Sequence, residues 1–529
     1  MSLALNLFGI TWGLPNGGYD WANDSVAPLE PLAYAKRLIY QEPWWSKYPP
    51  FHFMVLAALY APYALYLYLT GNLASPTDFY PYGLKDPEFS LMVFTLIARV
   101  TSALMGMGTV LVNYYTAKRL YGHRAGLISA LLIATSHAVI YYSHNANVDV
   151  PQLFWISLAL YSFVLLLETY EMKYYILLGL YAAFAVGTKN SAYALFLGLL
   201  PPLLWFHMRH AQATSKGAFP LVLADRRLLY GFLTSVITLI VVFNLPFNWQ
   251  GFTEHVQFHL GSSVKTSRVI RESASVLQGD VTLMTKYVIC ILQSNGIPAF
   301  LLLVAGFFYC LFKLPGRSWT LLIPMLTYYV FFLRSHGGYH LRYILPVYLF
   351  LSWQAGKLAA DLLACRKIPK LISTTAILLI LVHSLAYGFS LDLLLTRDSR
   401  YSAEKWMEKN IPQGAVVAAH DPGYGLPRFP PGMQVRRIRP DRRINSDVDS
   451  LGADYLVLDM SLPERLKQRS KIYQLLHEMG YLPVASFKSK TPIFGADLFH
   501  AVNPEIIIFE KTQTPGQSLR SLEGRHSSQ

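Results

Sequence analysis

Long apolar runs recur from the start of the chain to Phe389, and most approach the length that a helix needs to cross a membrane. A transmembrane helix takes about 20 consecutive apolar residues. Because 53% of the residues are hydrophobic and only 14% are charged, a water-soluble fold around one ordinary core is disfavoured. The runs therefore predict a polytopic α-helical membrane protein.

About ten of these runs are long enough, or nearly long enough, to span a bilayer. They are residues 89–116, 125–142, 151–167, 174–187, 191–207, 229–246, 297–312, 319–333, 343–360 and 371–389. The first residues, MSLALNLFGITWGLP, lack a basic residue and a small-residue cleavage site, so we interpret them as a shortened first helix. The sequence thus predicts about eleven transmembrane helices.

Residues 49–70 form one more apolar run, but it opens with Pro-Pro and contains His52, Pro62 and several tyrosines. We interpret it as an interfacial helix within an outer loop that covers residues 14–88. If this run does not cross, most basic residues of the short loops fall on one side, which the positive-inside rule makes the cytoplasm. They are Lys118, Arg119, Arg124, Lys173, Arg209, Lys216, Arg226, Arg227, Lys313, Arg317, Arg366, Lys367 and Lys370.

The opposite, extracytoplasmic side then collects polar and charged residues from four separate loops or helix ends. They are Asp20, Asp24, Lys47, His144, Asp149, Lys189, Arg334, His336, His340 and Arg342. Ionisable groups at membrane depth are costly to desolvate, so they tend to face a cavity and act there. This convergence is the main functional signal of the sequence.

The composition changes after Phe389, where polar helical stretches alternate with short strand-like runs such as AVVAAH, DYLVLD and EIIIFE. We predict a membrane domain over residues 1–390 and a small α/β domain outside the membrane over residues 391–512. Residues 513–529 lack apolar periodicity and are predicted to be a disordered tail. The outer loop 248–285 is long and polar, and either a lid or plain surface fits it.

Several classes of function are disfavoured. The net charge of +14 comes from basic residues scattered through short loops, so it indicates membrane orientation and not nucleic-acid binding. The three cysteines have no paired spacing that would build a zinc site or a disulfide framework. No ligand cluster requires a metal, although a divalent cation is left open.

The acidic candidates each have a structural alternative. Asp149 lies in HNANVDVP, close before an apolar run, where a carboxylate can also cap a helix. Either Asp20 or Asp24, in GGYDWANDSVAPLEPL, could likewise cap the helix that follows. As a set, two acids from separate loops suggest a general base and a partner that tunes it.

The basic candidates also have two interpretations. Lys47 follows two tryptophans and fits an interface anchor, and Lys189 fits a helix-end lysine that reaches for lipid phosphate. The stretch RSHGGYHLRYILP places two histidines and two arginines on the side where positive charge is usually scarce. Such cations around a cavity are what a phosphate on a lipid would need, both to bind and to depart.

Ordered motifs carry a family resemblance. GYDWANDS, KYPPFHFMVLAALY, YYSHNANVDVPQLFW, GTKNSAY, YHLRYILPVYLF and DSRYSAEKWMEKNIPQGA occur in that order. Together they resemble the GT-C membrane glycosyltransferases of the protein O-mannosyltransferase type, including bacterial relatives such as the lipid A aminoarabinose transferase. The resemblance runs from about residue 13 to residue 510 and depends on the order of the motifs.

The resemblance implies site residues. The family's first outer-loop acid corresponds best to Asp24, although Ser25 breaks the usual Asp-Glu pair and leaves Asp20 as a rival. The second acid corresponds to Asp149, and the basic residue that often precedes it corresponds to His144, a further candidate ligand of the donor phosphate whose charge would depend on pH. Three basic positions of the family correspond to Lys47, Lys189 and Arg342, which are implied to hold the carrier phosphate.

The resemblance also implies the reaction. It predicts an inverting glycosyltransferase of the plasma membrane that moves a sugar from a polyprenyl-phosphate donor to an extracytoplasmic protein, lipid or glycan. An aminosugar donor is the alternative within enzymes. A transporter or flippase for lipid-linked glycans is the alternative outside them, and the absence of a visible internal repeat disfavours it.

Overall fold

The computed structural model describes most of the chain. The described residues are 1–15, 21–22, 24–214, 225–263, 268–336, 339–420, 425–438, 452–461, 465, 467–490, 499 and 501–512. Asp20 and the predicted tail, residues 513–529, lie outside these ranges. Two compact units are present, one of Met1–Thr11 with Asp24–Asp392, and one of Trp12–Asn23 with Leu393–Gln529.

Helices make up the first unit. They are α1 (Ser2–Leu7), α2 (Leu29–Tyr40), α3 (Phe51–Leu69), α4 (Pro87–Tyr121), α5 (His123–Ala134), α6 (His137–His144), α7 (Asp149–Thr169), α8 (Met172–Thr188), α9 (Ala192–Thr214), α10 (Arg226–Val242), α11 (Trp249–Ser263), α12 (Arg268–Arg271), α13 (Val276–Lys313), α14 (Pro315–Tyr328), α15 (Leu345–Ala364) and α16 (Lys370–Thr396). A π-helical segment, Tyr329–Leu333, continues α14, and a 3₁₀ turn, Leu341–Ile344, precedes α15.

The helices begin where the sequence supplies caps and prolines. The Asp86 carboxylate accepts a hydrogen bond from the Phe89 amide, and Pro87 occupies the first turn of α4. Ser275 caps α13 in the same way, through the Gln278 amide. Within α13, Gly296 adopts a φ of +70° and breaks the regular helix two residues before Pro298.

Several helices have the dimensions of membrane spans. Among the described residues, five are long and apolar enough to cross a bilayer, or up to six if the α5–α6 pair, bent by 56°, is one span. The α3 helix is among the five, so its interfacial position stays a prediction, as do the count of eleven and the orientation. Residues 248–285, expected as a loop, instead contain α11, α12 and the first turns of α13.

The second unit contains a five-stranded sheet. Its strands are β1 (Val416–His420), β2 (Gln434–Ile438), β3 (Tyr455–Asp459), β4 (Tyr481–Phe487) and β5 (Ile506–Lys511), in the spatial order β2-β1-β3-β5-β4. The first three strands are parallel, and β5 runs antiparallel to both β3 and β4. This arrangement confirms the small α/β domain that the sequence predicted at the C-terminal end.

Among the described residues of this unit, one helix covers each face of the sheet. Side chains of a strand alternate between faces, so Val417 packs with Ala403 and Met407 of α17 (Ser399–Asn410), whereas Ala418 packs on the other side. That other side is covered by α18 (Arg469–Glu478) through Ile472 and Leu476. The unit thus has a helix–sheet–helix core of its own.

A buried carboxylate organises the start of α17. Asp398 caps the helix through the Arg400 amide and also accepts hydrogen bonds from the Arg400 guanidinium, the Trp12 indole and the Asn503 amide, at 2.7–3.0 Å. The side chains of Asp398 and Arg400 are both fully buried. A buried ion pair of this kind is stable only while both partners are present.

We expect Asp398→Asn to lower the free energy of unfolding of the second unit by about 3–5 kcal/mol, because it removes the carboxylate that pairs with the buried Arg400 guanidinium. Hydrogen exchange of β1 and β3 in the full chain would measure this loss. The control is Arg469→Gln, which removes a partly exposed pair with Glu505 and should cost less than about 1 kcal/mol. Equal losses in the two variants would contradict the prediction.

Candidate active site

Two carboxylates and two cations meet in the first unit. The Arg342 guanidinium forms an ion pair with Asp24 and lies 4.0 Å from a carboxylate oxygen of Asp149. The Lys189 ammonium group binds the other oxygen of Asp149 at 2.5 Å. These four residues, termed the charge cluster below, come from three regions of the chain that are far apart in sequence.

Local structure brings each of these side chains to the cluster. Asp149 is the first residue of α7, and the Asn147 side chain accepts a hydrogen bond from its amide at 3.1 Å. Lys189 ends α8, and the Gln152 side chain donates to the Lys189 carbonyl at 2.6 Å, which joins α8 to α7. Arg342 lies in the 3₁₀ turn before α15.

The geometry decides between capping and a site role for the described acids. The residue before α7 is Val148, and no side chain caps this helix, so Asp149 is not a capping residue. The helix after Asp24 begins behind Pro28, again without a side-chain cap. Both carboxylates therefore face the cations.

Asp24 differs from Asp149 in exposure and in backbone conformation. The Asp24 side chain is 30% exposed, compared with 3% for Asp149, so a second molecule can reach it. Its φ is +69°, a left-handed conformation that is uncommon for residues other than glycine and that recurs at functional sites. Asp24 is thus the accessible acid of the cluster.

Electrostatics keep Asp24 ionised. Burial raises the pKa of its carboxyl, but Arg342, assisted by Lys47 and His340, outweighs this effect and holds the pKa below its usual range. Asp24, Asp149, Arg342 and Lys189 carry two negative and two positive charges, so the cluster is neutral overall. Lys47 then adds one positive charge.

A cavity of about 430 Å³ adjoins the cluster. Its lining combines polar groups with aromatic rings from α11, from the π-helical segment and from the residue that follows α10. The lining includes Lys47, Tyr48, Lys189, Asn190, Phe243, Phe252, His255, Phe258, His259, Phe331, Phe332, His336 and Tyr343. A pocket lined by both cations and apolar rings suits an amphipathic anion.

The remaining predicted residues divide between this cavity and other places. His336 lines it and is bonded to the Tyr343 hydroxyl at 2.7 Å, and the His340 ring lies 5.1 Å from the Tyr343 ring. Arg334 instead pairs with Asp280 at 2.9 Å. Lys47 is exposed beside the Tyr48 ring and lines the cavity, so the anchor alternative stays open for it.

His144 lies apart from the cavity. Its ring is fully buried, and its nitrogens face the backbone carbonyl oxygens of Ile140 at 2.9 Å and Phe8 at 2.7 Å. With both nitrogens engaged by carbonyls, the ring is not placed to hold a phosphate. We therefore correct its expected role to one of connecting α6 with the chain after α1.

Sequence reasoning missed several residues of the cavity. Tyr48 and Tyr343 hold the Lys189 ammonium group between their rings, at 5.9 and 5.0 Å. Tyr48 directly follows Lys47 and Tyr343 directly follows Arg342, so their position next to predicted site residues was the sequence signal that could have identified them. His255 and His259 lie in the stretch expected as an outer loop, where an i, i+4 pair of histidines was the signal.

No group of three or more His, Cys, Asp or Glu side chains is arranged to hold a metal ion within the part of the chain that the structure describes. The two carboxylates of the cluster instead contact basic side chains.

Comparison with known proteins gives one sequence-family match. Residues 91–224 match the family described as dolichyl-phosphate-mannose-protein mannosyltransferase. Over that segment, the match confirms the resemblance that the ordered motifs predicted. The segment includes Asp149 and Lys189 of the cluster. The curated proteins gave no match.

Comparison with solved structures gives matches at low sequence identity, of which three follow. ArnT from Cupriavidus metallidurans bound to undecaprenyl phosphate is 13% identical over 96% of each chain, with a TM-score of 0.45. The Archaeoglobus fulgidus oligosaccharyltransferase is 13% identical over 94% of this chain and 72% of that chain, with a TM-score of 0.44. The S. cerevisiae protein O-mannosyltransferase Pmt1-Pmt2 complex is 20% identical over 46% of this chain and 33% of that chain, with a TM-score of 0.33.

We expect Arg342→Gln to lower the thermal unfolding midpoint at pH 7 and to weaken its dependence on acid. Because Arg342 depresses the pKa of Asp24, the stability contributed by this pair is present above about pH 4 and is lost as the pH falls through the folded-state pKa. Melting in detergent between pH 3 and 7 would measure both effects.

Lys36→Gln is the control for this prediction, because it removes a cation from a pair with Asp78 outside the cluster. It should keep the acid dependence of the unchanged protein. An Arg342→Gln variant as stable at pH 7 as the unchanged protein would contradict the prediction.

Proposed function

We propose that this chain is a membrane glycosyltransferase that takes a sugar from a polyprenyl-phosphate donor and passes it to an acceptor on the extracytoplasmic side. The observation that carries the proposal is the charge cluster, in which one guanidinium contacts two carboxylates beside a cavity lined by further cations. The family match over residues 91–224 supports it.

The cations act on the phosphate of the donor. A sugar joined to a lipid through one phosphate carries a single negative charge, and the departing lipid phosphate carries two. Lys47, Lys189 and Arg342 therefore bind the phosphate more strongly as the bond from the sugar to the phosphate oxygen breaks. Interactions that strengthen toward the transition state are those that accelerate a reaction.

Asp24 acts as the general base in this proposal. As an acceptor hydroxyl or amine attacks the anomeric carbon, its proton passes to the Asp24 carboxylate and the lipid phosphate leaves with the bonding electron pair. The exposure of Asp24 and its ionised state support this role. Asp20, which the resemblance also allows, remains the alternative general base.

Asp149 positions the cations. It binds Lys189 directly and lies 4.0 Å from Arg342, and only 3% of its side chain is exposed. With the acceptor on the face of the sugar opposite the phosphate, one displacement inverts the anomeric centre. The basic residues of the short loops support a reaction at the outer surface of the plasma membrane, with a protein, lipid or glycan as the acceptor.

We expect Asp24→Asn to reduce sugar transfer at least a hundredfold, because a general base contributes on the order of 10²–10⁴ in rate. Asp149→Asn should reduce it as well, through misplacement of Lys189 and Arg342. The measurement is single-turnover transfer by purified protein from a polyprenyl-phosphate sugar, with the product identified by mass spectrometry.

Asp280→Asn is the matched control, because Asp280 forms an ion pair of similar length with Arg334 outside the cluster. It should leave transfer within a few-fold of the unchanged protein. Full sugar transfer by both Asp24→Asn and Asp149→Asn would contradict this mechanism. Release of the donor unaltered would instead favour a transporter.

A second expectation concerns pH. Burial, followed by the positive charges of Lys189, His340, Arg342 and Lys47, lowers the pKa of His336 to about 4. The ring is therefore neutral between pH 5.5 and 8, and His336→Gln should keep the shape of the rate–pH profile in that range. A histidine-like inflection that disappears in His336→Gln would contradict this expectation.

A further inference from the structure

The segment that carries Lys47 has no regular secondary structure and is held by α11. Asn248, the residue before α11, accepts a hydrogen bond from the Trp44 amide at 3.0 Å and donates one to the Trp44 carbonyl at 2.7 Å. A Cβ atom on Gly251 would lie 2.0 Å from the same carbonyl oxygen, so the helix approaches this closely only with glycine there.

His255 of α11 joins the chain segments of two cations. One ring nitrogen, Nδ1, lies 2.9 Å from the Ser46 carbonyl oxygen, and the other, Nε2, lies 2.9 Å from the amide nitrogen of the Asn190 side chain. Ser46 directly precedes Lys47, and Asn190 directly follows Lys189. A single imidazole ring therefore spans the distance between the two lysine segments.

The tautomer of His255 follows from its partners. The amide nitrogen of Asn190 can only donate, so Nε2 accepts and Nδ1 carries the proton that it donates to Ser46. Burial lowers the pKa of His255 to about 4, which agrees with a neutral ring at pH 7. The ring is only 6% exposed, so water does not compete freely for either bond.

His259 continues the same contact one helical turn later. Its Nε2 donates to the Lys47 carbonyl oxygen at 3.1 Å, and its ring centre lies 4.5 Å from that of His255. Residues four apart lie on one face of a helix, so this face of α11 binds the consecutive carbonyls of Ser46 and Lys47. The same face lines the cavity.

We propose that His255 is a positioning residue that sets the separation of the Lys47 and Lys189 ammonium groups, so that both reach one phosphate. This inference rests on the proposed function, in which the two lysines share that ligand. Lys189 is also held by Asp149 and Gln152, whereas the Lys47 segment is held by α11 and by one hydrogen bond from the Ser46 hydroxyl to Glu30. His255 thus acts on the phosphate chiefly through Lys47.

A double-mutant cycle tests the inference. Purified full-length protein in detergent would be titrated with a polyprenyl monophosphate, comparing the unchanged protein with His255→Phe, Lys47→Met and the double variant. We expect His255→Phe, which loses the hydrogen bonds to both Ser46 and Asn190, to weaken binding roughly 3- to 10-fold, the effect of the one bond that positions the Lys47 segment. In the Lys47→Met background it should weaken binding no further, because the group that it positions is absent.

Two more variants complete the test. His255→Asn keeps a donor near the position of Nδ1, so its binding should lie between those of the unchanged protein and His255→Phe, and it replaces His255→Phe in the cycle if the latter does not fold. Gln257→Ala, an exposed position on the same helix, should bind as the unchanged protein does.

The outcomes separate the inference from the proposed function. If Lys47→Met weakens binding but the effect of His255→Phe is absent, or is equally large with and without Lys47, the positioning role is overturned and the proposed function stands. A loss in Gln257→Ala as large as that in His255→Phe would also overturn it. If Lys47→Met binds as the unchanged protein does, the phosphate role of Lys47 fails, and the inference fails with it.

Discussion

The Arg342 guanidinium between two carboxylates is the contact on which the site depends. A buried cation must be neutralised, and Arg342, with 6% of its side chain exposed, draws its counter-charges from Asp24 and Asp149. These residues lie before α2, at the start of α7 and before α15. The electrostatic requirement of one side chain therefore joins three distant segments, next to the cavity that Lys189 and Tyr343 line.

The helical fold could be predicted in large part, because a long apolar run indicates a helix that is buried in a membrane. Runs 89–116 and 151–167 lie inside α4 and α7. Run 297–312 covers only the second half of α13, since the first half carries polar residues that lower its hydropathy without breaking the backbone hydrogen bonds. The break between α5 and α6, at Thr135 and Ser136, contains neither proline nor glycine, so the sequence did not indicate it.

The charged residues of the site and His336 could be predicted, whereas its aromatic residues and the histidines of α11 could not. Asp24, Asp149, Lys189 and Arg342 interrupt or flank apolar sequence, where an ionised group needs a partner. Aromatic residues are 14% of the chain, so Tyr48 and Tyr343 do not stand out. His144 lies away from the cavity although it is close to Asp149 in sequence. The turn between α6 and α7 directs the two side chains into different surroundings, and the sequence does not indicate these directions.

The neutrality of the charge cluster has a consequence for turnover. When the donor binds, its single negative charge is matched by the one surplus charge of Lys47. During the proposed transfer the phosphate gains a negative charge while Asp24 loses one to the incoming proton, so the total stays constant from substrates to products. During the transfer step, electrostatic work in a region of low permittivity is then confined to moving charge over a few ångströms, and the cycle closes when the lipid phosphate departs and Asp24 releases its proton.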